Sequence, residues 1–217
     1  SINQAYKRIN HHILKTPLVT SEYINNLLDA KVYFKLENLQ WTGSFKLRGA
    51  INKILQLNLK QKQRGVVAYS SGNHAQAVAY HAKQLQVPCV IIMPSQTPFS
   101  KVSRTRALGA EVILEGRNLN ECELTVKKIV AERGMSLIHP YDDPLVIAGQ
   151  GTVGLEMLQE EPDVDMLIVP IGGGGLMAGT ALITKEINSK IKLIGVESAL
   201  WPSMSGALSA KSMSCIT

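Results

Sequence analysis

Short apolar runs, each about the length of a strand, alternate along this chain with longer amphipathic stretches. The runs occupy 32–36, 65–69, 89–93, 111–114, 136–139, 166–171 and 192–196, and are rich in Val, Ile and Leu. Helical patterning fills 44–57, 74–86, 100–108, 120–133, 149–159 and 176–187. A run such as Cys89-Val90-Ile91-Ile92-Met93 has no polar side, so a strand made from it must be covered on both faces. Repeated β-α alternation covers strands in that way, with helices as the crossovers between parallel neighbours. The expected fold is therefore α/β, two lobes with parallel sheets flanked by helices. The 217 residues are 45% hydrophobic but only 5% aromatic, so the core must be aliphatic and rich in small residues.

Two polar stretches read as joints. One is 58–64; the other is Pro140-Tyr141-Asp142-Asp143-Pro144, leading into Ala148-Gly149-Gln150-Gly151. They suggest a small inserted domain at 59–143, within a larger discontinuous domain made of 1–58 and 144–217. A cleft between two such lobes is a natural cofactor site.

Charge narrows the partners. The chain carries 23 basic and 17 acidic residues, a net +6, dispersed as solvated faces with no block of one sign. With few aromatics to stack bases, nucleic acid is not an expected partner. A mild positive field suits a small anionic ligand. Cys89, Cys122 and Cys215 are odd in number, unclustered and without a CxxC spacing, so neither a disulfide framework nor a zinc site is expected. No apolar stretch is long enough to span a bilayer, and no leader pattern is evident. A cytoplasmic, reducing setting is the expectation.

Three stretches carry chemistry. In Ser44-Phe45-Lys46-Leu47-Arg48-Gly49-Ala50, the lysine falls near the start of a predicted helix, where the helix dipole disfavours a cation. Phe45 beside it adds apolar cover, and burial lowers a lysine pKa further. Such an amine suits condensation with an aldehyde, although most lysines near a helix start are plain surface charges. In Ser70-Ser71-Gly72-Asn73-His74-Ala75-Gln76, small polar residues join a strand to a helix. Backbone N–H groups exposed there suit a carboxylate, and an ordinary helix cap explains the same residues equally well. In Gly172-Gly173-Gly174-Gly175-Leu176, four glycines stand between a strand and a helix. Each costs conformational entropy, which makes sense where backbone N–H groups must approach a phosphate closely. No Lys-Ser/Thr follows, so this is not a Walker loop, and the spacing to Glu197 only partly imitates a dinucleotide site.

Taken together, the three stretches resemble the fold type II pyridoxal-phosphate enzymes (tryptophan synthase beta-like), and within them the serine/threonine dehydratase family, the threonine ammonia-lyase and serine racemase branch. Thr16-Pro17-Leu18, Lys35-Leu36-Glu37-Asn38-Leu39-Gln40 and Ile147-Ala148-Gly149-Gln150-Gly151-Thr152 share the likeness, which covers essentially the whole chain. The resemblance implies that Lys46 holds pyridoxal 5'-phosphate as a Schiff base and acts as general base at the substrate Cα. Phe45 would pack on the cofactor ring and Asn73 would bond its hydroxyl. The loop from Gly172 to Gly175, with the Leu176 N–H, would hold the phosphate. Ser70, Ser71, Gly72, Asn73 and His74 would receive the amino-acid substrate. Ser71 has a second, catalytic role in racemases, as the acid opposite the lysine. The implied reaction is deamination of L-threonine, and of L-serine, to a 2-oxo acid and ammonia. A homo-oligomer, dimer or tetramer, is also implied.

The match has gaps. Family members continue past the strand at 192–196, and a later Ser, Thr or Cys there contacts the pyridine nitrogen; nothing up to Thr217 supplies it. The expectation is a large domain missing its C-terminal part. Racemase-type relatives hold a divalent cation with a Glu that Glu197 matches, but 198–203 offer no second carboxylate, so no metal site is expected. Alternatives are a serine racemase, an inactive fragment that binds the cofactor or an amino acid, and, more distantly, a nucleotide-binding dehydrogenase.

Overall fold

A computed structural model of the chain describes residues 1–210. The N-terminal helix α1 (Ile2–Ile9) starts with a Ser1/Gln4 capping box and buries Ile2, Ala5 and Ile9, a single stripe at helical spacing. Then come strand β1 (Leu18–Thr20), helix α2 (Glu22–Leu28) and strand β2 (Tyr33–Lys35), with β1 and β2 paired antiparallel. A 3-10 turn at Glu37–Leu39 leads to helix α3 (Lys46–Leu55), which begins on the candidate lysine.

The stretch read as a polar joint is a helix, α4 (Leu59–Arg64). Asn58 and Gln61 close a capping box around its first turn, and Gly65, at φ 96°, stops it. Next follow β3 (Val66–Tyr69), α5 (Asn73–Gln84), β4 (Cys89–Met93), α6 (Phe99–Ala107), β5 (Glu111–Leu114), α7 (Leu119–Arg133) and β6 (Ser136–Leu137). These strands form one parallel sheet in the order β5-β4-β3-β6. Val66, Ala68, Ile91 and Met93 face one core with Leu47, Ile54, Val78 and Ala82; Val67, Tyr69, Val90 and Ile92 face the other with Cys122, Val126 and Ile129. Both faces are covered, as the all-apolar strand at 89–93 requires.

The helix expected at 149–159 is two. Helix α8 (Pro144–Gln150) starts earlier, with Asp143 as its cap and Pro144 in its first turn, and α9 (Thr152–Glu160) follows after Gly151. Gly151 lies so close to Gly179 that an added Cβ would come within 2.8 Å of the Gly179 carbonyl oxygen. Strand β7 (Met166–Pro170), helix α10 (Gly175–Ile187) and strand β8 (Lys192–Val196) complete a second, two-stranded parallel sheet, and α11 (Ser203–Ala210) ends the described residues. Cys215 lies outside them.

Candidate active site

Strand order determines where a ligand can sit. From β3 the chain runs outward through β4 to β5, then returns to place β6 on the other side of β3. The connections leaving the carboxyl ends of β3 and β6 therefore diverge and open a crevice, the switch point at which open α/β sheets bind ligands. Both connections carry polar groups. After β3 come Ser70, Ser71 and Gly72, the last a position where an added Cβ would meet nothing within 4 Å. After β6 come His139, Pro140 and Tyr141.

His74, in the first turn of α5, is buried, and its Nε2 lies 2.8 Å from the Ile138 carbonyl oxygen. That contact needs a proton on Nε2, which leaves Nδ1 as a bare acceptor, with no hydrogen-bond partner among the described residues. Burial, reinforced by the Lys46 charge, pushes His74 down to about 3, so its ring is neutral at pH 7. Ser70, Ser71 and Gly72 are partly buried and Asn73 is exposed.

Lys46 opens α3 directly after Phe45, whose side chain makes no capping hydrogen bond. Its Nζ donates to the Pro140 carbonyl oxygen at 2.6 Å and lies 5.3 Å from the centre of the Phe45 ring. Burial lowers this amine to about 8, against an ordinary 10.5. Across from it, the chain leaves β7 through Gly172 to Gly175 and enters α10. Gly174, at φ 84°, is left-handed and has no side chain with which to cap the helix, so the first N–H groups of α10 suit a ligand. Phe45, Lys46, Tyr141 and the segment 170–176 line one cleft of about 270 Å³. Tyr141 lies against the glycines: a Cβ on Gly173 would run into its ring.

Of the residues singled out from sequence, Phe45, Lys46, Gly172, Gly173, Gly174, Gly175 and Leu176 meet in this cleft. Ser70, Ser71, Gly72, Asn73 and His74 do not line it; they sit at the end of β3, with His74 close enough to feel the Lys46 charge. Sequence reasoning missed Tyr141, although two prolines in Pro140-Tyr141-Asp142-Asp143-Pro144 signalled a rigid turn. It also missed Arg48, two residues beyond the lysine. The Arg48 guanidinium is fully buried and spends all five N–H donors: Nε and Nη2 on Glu37, Nη1 and Nη2 on Glu156, and Nη1 on Thr152, at 2.7–3.2 Å. Lys35 adds a second cation on Glu156 at 2.8 Å, so two positive and two negative side chains balance. Among the described residues, no three His, Cys, Asp or Glu side chains gather to hold a metal ion. The Glu197 carboxylate accepts the backbone N–H groups of Met204 and Ser205 at the start of α11.

Residues 9–217 match the family model described as "Pyridoxal-phosphate dependent enzyme". The chain is 44% identical over 207 residues to the L-threonine ammonia-lyase of Thermotoga maritima, covering 95% of this chain and 52% of that protein. It superposes on the processed form of threonine deaminase isoform 2 from Solanum lycopersicum with a TM-score of 0.92 at 35% identity, over 100% of this chain and 64% of that one. Against maize serine racemase the TM-score is 0.95 at 38% identity, over 99% and 65%. The chain spans about half the length of the curated relatives it matches.

Proposed function

The chain belongs to the pyridoxal-phosphate dependent enzymes, and on that premise we propose that it carries the lysine and phosphate-binding parts of an ammonia-lyase that deaminates L-threonine and, as a second substrate, L-serine. The supporting observation is the cleft in which a half-buried amine of lowered pKa faces an uncapped glycine helix start. The residues present fit the cofactor. About a tenth of an amine with a pKa near 8 is free base at pH 7, ready for an aldehyde carbon. The N–H groups of 172–176 suit a phosphate, and the open space beside Gly172 leaves room for it. Lys46 would hold the cofactor's aldehyde carbon, Phe45 would cover its ring and Asn73 would bond its hydroxyl.

When bound, the cofactor supplies an electron sink for charge developing at the substrate Cα. The Lys46 amine would take the Cα proton, a role its lowered pKa suits. Ser70, Ser71, Gly72 and His74 at the α5 N-terminus hold the substrate carboxylate. The neutral His74 ring adds no charge of its own. Loss of the β-hydroxyl and hydrolysis then yield 2-oxobutanoate from threonine, or pyruvate from serine, with ammonia.

The inserted domain at 59–143 is part of this proposal, supported by a four-stranded sheet whose residues all fall inside it. So are a dimeric or tetrameric assembly and a cytoplasmic setting, the latter supported by the free buried thiols Cys89 and Cys122. A second reading, serine racemase, is favoured by the hydroxyl of Ser71 and the likeness to maize serine racemase. Assays of 2-oxo acid and D-serine release separate them. Release of 2-oxobutanoate from threonine supports the lyase, D-serine in excess of pyruvate supports the racemase, and neither product contradicts both.

A further inference from the structure

The turn after β6 touches both the lysine and the glycine loop of the cleft. Its Pro140 carbonyl oxygen holds the Lys46 Nζ at 2.6 Å. Its Tyr141 packs on Gly173, and its Tyr141 carbonyl oxygen lies 2.9 Å from where a Gly175 Cβ would stand. Its far end is tied to the lysine helix as well: Asp143 Oδ2 pairs with Lys53 Nζ at 2.7 Å, and Lys53 lies seven residues, two helical turns, beyond Lys46 on the same face of α3. The turn thus runs along α3 between two lysines, with its outer side against the glycine loop.

His139 is the side chain that shapes this turn. Its Nδ1 accepts the backbone N–H of Asp142 at 2.7 Å and of Tyr141 at 3.3 Å. Two donors on Nδ1 place the ring proton on Nε2, which faces the Tyr69 hydroxyl oxygen at 2.9 Å. Tyr69 is the last residue of β3, buried in the sheet core. Its own ionisation is disfavoured first by burial and then by the nearby Glu123 charge, so the hydroxyl keeps its proton. The imidazole therefore joins the sheet to the turn through two different nitrogens, and edge-on contacts with the rings of Tyr69 and Tyr141 fix its plane. Burial and Lys46 favour the neutral ring, while Asp142, Glu123 and Asp143 oppose them; burial dominates and its pKa lies below the ordinary value.

We infer that His139 is a positioning residue: by accepting the Tyr141 and Asp142 N–H groups it fixes the turn that sets the distance between the Lys46 amine and the glycine loop. The inference rests on the proposed cofactor role of Lys46. It gives His139 no contact with substrate or cofactor. An acceptor at the Nδ1 position is the essential element, because two N–H groups depend on it. The Tyr69 bond is secondary, orienting the ring.

Asparagine and glutamine separate these two functions. The Asn Oδ1 falls close to the imidazole Nδ1 and keeps the acceptor, whereas Gln reaches toward Tyr69 and leaves the turn N–H groups unmet. The experiment titrates pyridoxal phosphate into the wild-type chain and the variants H139N, H139Q, H139L and Y69F. It reads the dissociation constant by absorbance and the fraction reduced onto Lys46 by borohydride, with the thermal midpoint followed separately. Misplacement of about 1 Å can cost up to about a hundredfold, so H139L and H139Q should bind about ten- to a hundredfold more weakly. H139N should stay within about threefold of wild type, and Y69F should fall between. Wild-type affinity in H139L or H139Q would overturn the inference, as would a folded H139N as weak as H139Q. Should H139L fail to fold, the H139N/H139Q pair decides by itself. Absence of trapping at Lys46 in the wild-type chain would bring down the proposed function together with the inference, whereas trapping with indifferent variants removes the inference alone.

Discussion

Among the described residues, the two parallel sheets differ in how they are covered. In the four-stranded sheet, Val66, Val67, Ala68, Ile91 and Ile92 are at or near zero exposure, with helices on both faces. In β7 of the other sheet only alternate residues are buried, and in β8 none is. Leu167 and Val169 turn inward, while Met166, Ile168, Ile194 and Val196 are 41–64% exposed. The register explains the stripe: Ile168 stands opposite Ile194 and Pro170 opposite Val196, so their side chains share the open face. The loop at Ser70–His74 and the turn at His139 thus hang from a closed core, but the glycine loop hangs from a sheet with one apolar face exposed. Among the described residues, the lysine side of the cleft is backed by a core covered on both faces, and the glycine loop is packed by Tyr141 and continues into α10.

The largest effect is expected where the closed half meets the chemistry. Lys46→Ala should abolish covalent trapping and lower 2-oxo acid release by about 10²–10⁴-fold, while the urea midpoint stays near wild type. Next is Arg48→Met, which leaves the buried Glu156 with one cation, Lys35, and the partly buried Glu37 without its arginine. A loss of about 3–5 kcal/mol is expected from urea unfolding, and a change below about 1 kcal/mol would show that the quartet does not anchor α3. The two sheets are contrasted directly by Ile91→Ala, expected to cost about 2–5 kcal/mol, and Ile168→Ala, expected to stay within about 0.5 kcal/mol. Equal losses would contradict the contrast.

Inside the glycine loop, Gly173→Ala drives a methyl into the Tyr141 ring and should weaken cofactor binding, as read by absorbance titration. Gly172→Ala meets open space and should leave the loop's own packing unchanged. A further effect is expected in acid. His74 and His81 are each pushed down to about 3 by burial, so the unfolded chain takes up protons first. Their contribution to stability is complete above about 6.5 and is lost as the pH falls toward about 3. The urea midpoint should therefore drop between about pH 7 and pH 5, and a flat profile would show that the two rings ionise in place.

Local pattern reached the parts of this design that are encoded locally. The strand at 89–93 is all apolar, and the glycines at 172–175 have no packing excuse; both were legible. Lys46 was legible through Phe45 and the motif around it. Helix α4 was not, because its mostly polar residues carry no apolar stripe and only the Asn58/Gln61 pairing marks it. Arg48 sits inside the lysine motif, yet its partners are 11 residues before it and 108 after it, a closure no window of sequence reveals. His139 and Tyr141 gain their roles only when β6 is laid beside β3. Asn73 and the serines were named from the motif, and the structure puts them at the neighbouring strand end rather than in the lining of the cleft around Lys46.

The proposed function requires that one lysine and one glycine loop form a single pyridoxal-phosphate site. Borohydride reduction of the chain with pyridoxal phosphate, followed by peptide mapping, is the decisive measurement. One pyridoxyl group is expected, on Lys46, and its loss when Gly173→Ala disturbs the loop. A folded chain with Lys46 unmodified, or with label spread over surface lysines such as Lys60 and Lys127, would contradict a shared site.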